Sequence, residues 1–175
     1  MPRRTLWVAT ALILTACGSG GPGDQSGPVT RESLAAELCP QLEDVLAGLY
    51  PGAPRFLPPE IENEPNESIP ERSNSNCGIP TGDDSNGDPG QLNVVITGAI
   101  RLDDIAEECK PLSLSVSGDV KLVAYCTGDN GEYGAWRSVA ARVNNDFAVL
   151  LSVDDPREAT EDQMIKAATD LLDSL

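Results

Sequence analysis

Leu34, Leu38, Leu42, Val45, Leu46 and Leu49 recur at three- and four-residue steps, which sets them on one face of a helix that Thr30 can cap. Pro40 falls inside this pattern and lacks the amide that would bond the carbonyl of Ala36, so the helix is expected to kink or restart there while its apolar face continues. A second helical stretch closes the chain, with Met164, Ala168, Leu171, Leu172 and Leu175 on one face and Ile165 and Ala167 beside them. Two caps compete for its start: Asp155 followed by Pro156 and Glu158, and Thr160 followed by Gln163.

Between the helices the period changes to that of strands. Leu92, Val94, Val95, Ile96 and Ile100 are dense enough to predict a strand over 91–100 buried on both faces. Leu112, Leu114 and Val116 alternate with Ser113, Ser115 and Ser117, and 122–126 is a further β-rich run, so two strands surround Gly118-Asp119. The runs 135–143 and 147–153 flank Asn144-Asn145-Asp146 and predict a hairpin. Asp104 followed by Glu107 matches a capping box for a short helix over 104–108 that delivers Cys109, and its carboxylates read as helix-end charges rather than a catalytic pair. By contrast, 51–90 is rich in Pro, Asn, Ser, Gly and acids, with scattered apolar residues such as Phe56, Leu57, Ile61 and Ile69, and predicts a long acidic loop tied down by Cys77. These elements define an α+β domain: an antiparallel sheet packed on one face by an N-terminal and a C-terminal helix.

The N-terminus changes the picture. Arg3 and Arg4 precede an uncharged apolar run over 6–14, and Leu14-Thr15-Ala16-Cys17 resembles the lipobox of bacterial lipoprotein signals. The run is too short for the usual membrane span of about 20 residues. Cleavage before Cys17 is expected, with the cysteine acylated, so that 1–16 is a signal peptide, 17–29 the lipidated residue and a Gly/Ser/Pro tether, and 30–175 a single domain. Two or three acyl chains make such anchoring stable where one would be marginal. Attachment to the membrane is therefore expected through lipid, on the extracytoplasmic face.

Charge supports that division of labour. Loss of 1–16 takes away two arginines and no acid, moving the formal charge from −16 to −18, a field that repels phosphates and anionic headgroups and argues against nucleic-acid binding. Aromatic residues make up 4% of the chain, which leaves little material for broad stacking platforms, and Trp136 is the one tryptophan beyond the signal. Glu60, Glu62, Glu64 and Glu67, in the acidic stretch, are candidate contacts for a binding loop and are expected to be exposed.

Setting Cys17 aside, Cys39, Cys77, Cys109 and Cys126 form an even set in an exported chain, and two disulfides are expected. Of the three pairings, Cys39 with Cys77 and Cys109 with Cys126 close the shortest loops. The chain has no histidine and these cysteines no CxxC spacing, so a metal site is not indicated. Asp83-Asp84-Ser85-Asn86-Gly87-Asp88 departs from a calcium loop, because Gly82 stands where the first carboxylate belongs and no glutamate follows at the required distance. A serine nucleophile would need Lys110, Lys121 or Lys166 as its base, and no SxxK occurs. Neither a catalytic set nor a cofactor motif is found.

The lipobox, the tether, a Leu-rich first helix containing Cys39, a second cysteine before the first predicted strand, and a late hairpin running into a terminal helix together resemble actinobacterial lipoproteins of unknown function that are sometimes compared with the PsbP-like fold. The resemblance covers most of the mature chain and brings no catalytic residues. The function expected is that of a non-enzymatic binding or accessory module at the cell surface, meeting a protein or small ligand through the 51–90 stretch or the exposed face of the sheet. Two alternatives stand beside it, a lipid or small-molecule carrier with an apolar cavity and an acidic inhibitor of a cell-wall-degrading enzyme.

Overall fold

The computed structural model describes residues 28–55, 59–83, 89–106, 109–129, 135–154 and 159–175. Cys17, the tether up to residue 27 and the Asp84–Asp88 part of the acidic turn lie outside them.

The first helical stretch is two helices, α1 (Arg31–Leu38) and α2 (Leu42–Leu49), joined by a 3-10 turn over Cys39–Gln41. The break falls at Pro40, where the missing amide makes continuous α-helical bonding impossible. Thr30 caps α1, accepting from the Ser33 amide while the Ser33 hydroxyl answers the Thr30 amide. The terminal helix α4 (Glu161–Leu172) takes the second of its two candidate starts, with Thr160 and Gln163 forming a reciprocal capping box.

Seven strands form one sheet: β1 (Glu62–Glu64), β2 (Asn74–Asp83), β3 (Pro89–Gly98), β4 (Lys110–Ser115), β5 (Lys121–Asp129), β6 (Ala135–Arg142) and β7 (Phe147–Asp154). Their spatial order is β1-β2-β3-β7-β6-β5-β4, and every neighbouring pair is antiparallel. The β6–β7 hairpin closes on Asn144, whose side-chain carbonyl accepts from the amides of Asp146 and Phe147. At one end of the sheet Lys110 reaches Glu161 of α4 at 2.6 Å, a contact that raises the affinity of its ammonium for the proton.

Helices α1, α2 and α4 cover one face. Leu34, Leu38, Leu42, Leu46 and Leu49 from the first two, with Met164, Ala168, Leu171 and Leu172 from the last, bury against Leu92, Val94 and Ile96 of β3 and Val149, Leu151 and Val153 of β7. Each fully buried leucine of this layer contributes about 1.5–3 kcal/mol relative to exposure. The expected α+β architecture, an antiparallel sheet with an N-terminal and a C-terminal helix on one face and two disulfides, is the one observed.

Three expectations are corrected. The 51–90 stretch is not one long loop: it contains β1, a 3-10 turn over Pro70–Arg72, all of β2 and the first residues of β3. β2 hides its strand character because its inward positions are Ser75, Cys77, Ile79 and Thr81, small or polar residues that are nonetheless buried, and because Pro80 interrupts the run. Its amides lie inside the sheet, paired with β3 and in part with β1. The short helix preceding Cys109 is α3 (Arg101–Ala106), three residues earlier than Asp104 would start it, so Asp104 lies within the helix. Its first turn is closed by the Leu102 amide on the Ala99 carbonyl. The strand expected over 91–100 ends at Gly98, leaving Ile100 65% exposed.

Candidate functional site: the open half of the sheet

Side chains alternate along a strand, and residues paired across strands share a face. Since Leu92, Val94 and Ile96 point to the helices, Gln91, Asn93, Val95 and Thr97 point away, as do Leu150, Ser152 and Asp154 of β7 and Trp136, Ser138 and Ala140 of β6. In β5 the register shifts between Leu122 and Ala124, so Leu122 faces the helix layer while Ala124 and Cys126 face the opposite side. This bulge is what turns the second disulfide onto the outer face.

Part of that face is covered. Leu102 of α3, 1% exposed, packs on Ala124, Cys126, Ala140 and Ala148, whose small side chains leave room for the helix. Cys109 and Cys126, with Cα atoms 4.7 Å apart, fasten the chain after α3 to β5. On the helix side Cys39 joins Cys77 across a Cα separation of 6.0 Å and ties the 3-10 turn to the middle of β2. Both bridges follow the pairing that closes the shortest loops.

The rest of the face is open, and the strand register sets its residues in rows. One row runs Gly128, Trp136, Asp154, Gln91 and Pro80 from β5 to β2; the next runs Ser152, Asn93 and Gly78, continuing from the buried Ser138 and the covered Cys126. A third runs from Leu150 through Val95 and Asn76 to Glu62 of β1. At spacings of about 4.8 Å per strand, the surface from β1 to β5 is roughly 24 Å wide. It mixes amides and hydroxyls (Gln91, Asn93, Asn76, Ser152) and the carboxylates Asp154 and Glu62 with glycine, proline and the aliphatic Leu150 and Val95, and carries one aromatic.

Two glycines shape it. A methyl group on Gly128 would collide with Nε1, Cε2 and Cζ2 of Trp136, so that edge of the indole lies close against β5. A methyl group on Gly78 would collide with Oδ1 of Asn93, so that amide lies over β2. Gly128→Ala is expected to lift the indole from β5. Trp136 is the one tryptophan after Trp7, so in protein lacking residues 1–16 the emission should change, and an unchanged spectrum would exclude this close approach.

The four candidate glutamates do not form one loop cluster. All are exposed, but Glu60 precedes β1, Glu62 and Glu64 lie on it opposite Asn76 and Asn74, and Glu67 sits in a turn where Asn66 accepts from the amides of Ser68 and Ile69. Glu62 and Glu64 thus share the outer face and border the open half. Asp154, Asn93, Asn76 and Trp136 were not among the candidate contacts. Their signal is the alternation itself, since Asn93 sits between Leu92 and Val94, and Asp154 follows Val153.

Between sheet and helices, where an apolar carrier would need a chamber, Leu38, Leu42, Leu46, Leu92, Leu151 and Met164 fill the described space. A groove of about 990 Å³ beside α1 and the β4–β5 turn mixes Leu34, Val120, Val143 and Leu175 with Ser33, Glu37 and Asp119. A smaller one of about 220 Å³ lies between α2 and α4. No group of three or more potential metal ligands occurs among the described residues. No protein-family model, curated protein or solved structure matches the chain.

Proposed function

We propose that the protein is a lipid-anchored module on the extracytoplasmic face of the cell membrane that binds a partner without chemical turnover, through the open half of its sheet. One observation carries the reading: the two disulfides consume Cys39, Cys77, Cys109 and Cys126 and leave Cys17, the residue of the lipobox-like tetrad, as the odd cysteine. Bridges of this kind are compatible with an oxidising compartment, and no helix among the described residues is long and apolar enough to cross a membrane. Attachment then rests on acyl chains, because an acidic domain is repelled by anionic headgroups.

Cys17→Ala is expected to move the protein from the membrane fraction to the soluble fraction, or to leave an uncleaved precursor. A variant that stayed membrane-bound at mature size would overturn the anchor. The binding role is tested separately by placing a photo-crosslinking amino acid at Asn93, on the open face, and at Glu37, on the helix layer. Adducts formed in the native envelope from position 93 and not from position 37 support it, and the reverse pattern would move the site to the helices.

A further inference from the structure

We infer that the end of the domain where the tether enters docks on the phospholipid surface, with lipid phosphates meeting Arg101, Lys121 and Arg142. The inference rests on the lipid anchor just proposed and adds the face that meets the bilayer. Chain geometry points to this end. Pro28 and Val29, where the described chain begins, line one groove with Gly118 and Asp119 of the β4–β5 turn and Asn144 of the β6–β7 turn. Cys17 precedes Pro28 by eleven residues, and a Gly- and Ser-rich chain of that length spans roughly 18 Å. Acyl chains on Cys17 therefore hold these two turns close to the headgroups.

Charge complementarity carries the rest. Lys121 follows the first turn, Arg142 precedes the second, and the two are paired across β5 and β6. Their neighbours Leu122 and Ala141 face the helix layer, so both cations point to the outer face. Like charges directly opposite destabilise a sheet, and among the described residues neither has an ion pair with an acid. Arg101, likewise without one, opens α3 and is held at the same end by the bond from the Ala99 amide to the Asp146 carbonyl. Three such cations in a chain with 28 acidic residues call for an external anion, and guanidinium groups suit phosphate through paired hydrogen bonds.

The acids of this end, Glu32, Glu71, Asp104, Asp119 and Asp146, are matched by Arg31 and Arg72 together with those three cations. The end is thus near neutral in a mature chain of −18. Trp136 and Asp154 stand six residues up their strands from Arg142 and Ala148, roughly 20 Å away, whereas salt screens charges beyond about 8 Å. The acidic remainder therefore does not decide the contact, and the open half of the sheet is held clear of the bilayer. Exposed apolar side chains gather at the docking end as well. Ile100 is 65% exposed beside Arg101, Val29 49% at the tether, and Ile69 42% before the 3-10 turn whose Glu71 carbonyl abuts Gly98. They suit the apolar side of a membrane interface.

The test uses the mature acylated protein in mixed phosphatidylcholine and phosphatidylglycerol vesicles at about 0.15 M salt, with a fluorescence quencher carried on the lipid headgroups. Trp136 is the one tryptophan of residues 17–175, so the unsubstituted protein reads the far end, and Ile100→Trp, at an exposed position, adds a reading at the near one. The added indole is expected to be quenched and Trp136 to be unaffected. Lys121→Gln with Arg142→Gln should lower the ratio of docked to lifted protein, read from the added indole, by at least about tenfold, since each basic residue near an anionic surface shifts that balance by roughly fivefold. The same loss of charge beside α2 and on α4, Arg55→Gln with Lys166→Gln, should leave the ratio within about twofold. Quenching of both indoles alike, quenching of neither, or an equal response to the two pairs of substitutions would overturn the proposal. Flotation of the vesicles separates this failure from that of the anchor. Protein that floats with the vesicles while its indole at position 100 is unquenched keeps the anchor and loses the docking, whereas protein left in solution loses both.

Discussion

Removing the Cys39–Cys77 bridge with Cys39→Ala and Cys77→Ala is expected to lower the midpoint of thermal unfolding by about 10–15 °C. The two residues are 38 apart in sequence, and closing a loop of that size removes about 4 kcal/mol of chain entropy from the unfolded state. For a chain of this length, 1 kcal/mol moves the midpoint by about 2–4 °C. Cys109 and Cys126 are 17 apart, and their removal is expected to cost about 3 kcal/mol by the same relation. The first pair also has the larger structural task, because it fastens the helix layer to β2, whose buried positions offer few apolar side chains. Melting of both double variants, followed by circular dichroism, decides the matter. A shift of a few degrees or less for the first pair would mean that packing alone holds α1 and α2 on the sheet.

The second large effect concerns which face of the sheet is the core. Leu92 and Val95 lie three residues apart on the same strand, but Leu92 is 0% exposed beneath the helices and Val95 is partly exposed on the open face. Leu92→Ala is expected to cost about 2–5 kcal/mol, the transfer of the lost methyl groups plus a cavity that the surrounding leucines can only partly close. Val95→Ala should cost under about 1 kcal/mol, since the site is already partly in contact with water. Urea titrations of both variants measure the difference. Similar costs at the two positions would mean that the open face is covered by something bound, and would redirect the search for the partner to whatever covers it.

Both predictions depend on placements that differ in how far they can be read along the chain. Periodicity, caps and punctuation are local quantities, so α1, α2 and α4, their break at Pro40 and the β6–β7 hairpin follow from residue order. The preference for the shortest loops likewise anticipates the disulfide pairing. β2 does not follow, because burial of Ser75 and Thr81 is imposed by its neighbours β3 and α1 rather than by its own hydrophobicity. Nor does the extent of α3, whose first turn is set by a hydrogen bond to Ala99 and whose position is set by Leu102 finding Ala124, Ala140 and Ala148.

The candidate site shows the same division. Glu62 and Glu64 are legible as exposed acids, but only the register that pairs Glu62 with Asn76 brings them to the face that holds Asp154 and Trp136. These groups come from strands far apart in the chain, and their sharing of a face depends on parity across four successive pairings. The sequence by itself determined the helices, the hairpin, the cysteine set and the sign of the charge, because each rests on neighbours along the chain. The tertiary structure decided which acids, amides and aromatic ring stand on one surface, since strand register joins residues that no local pattern connects.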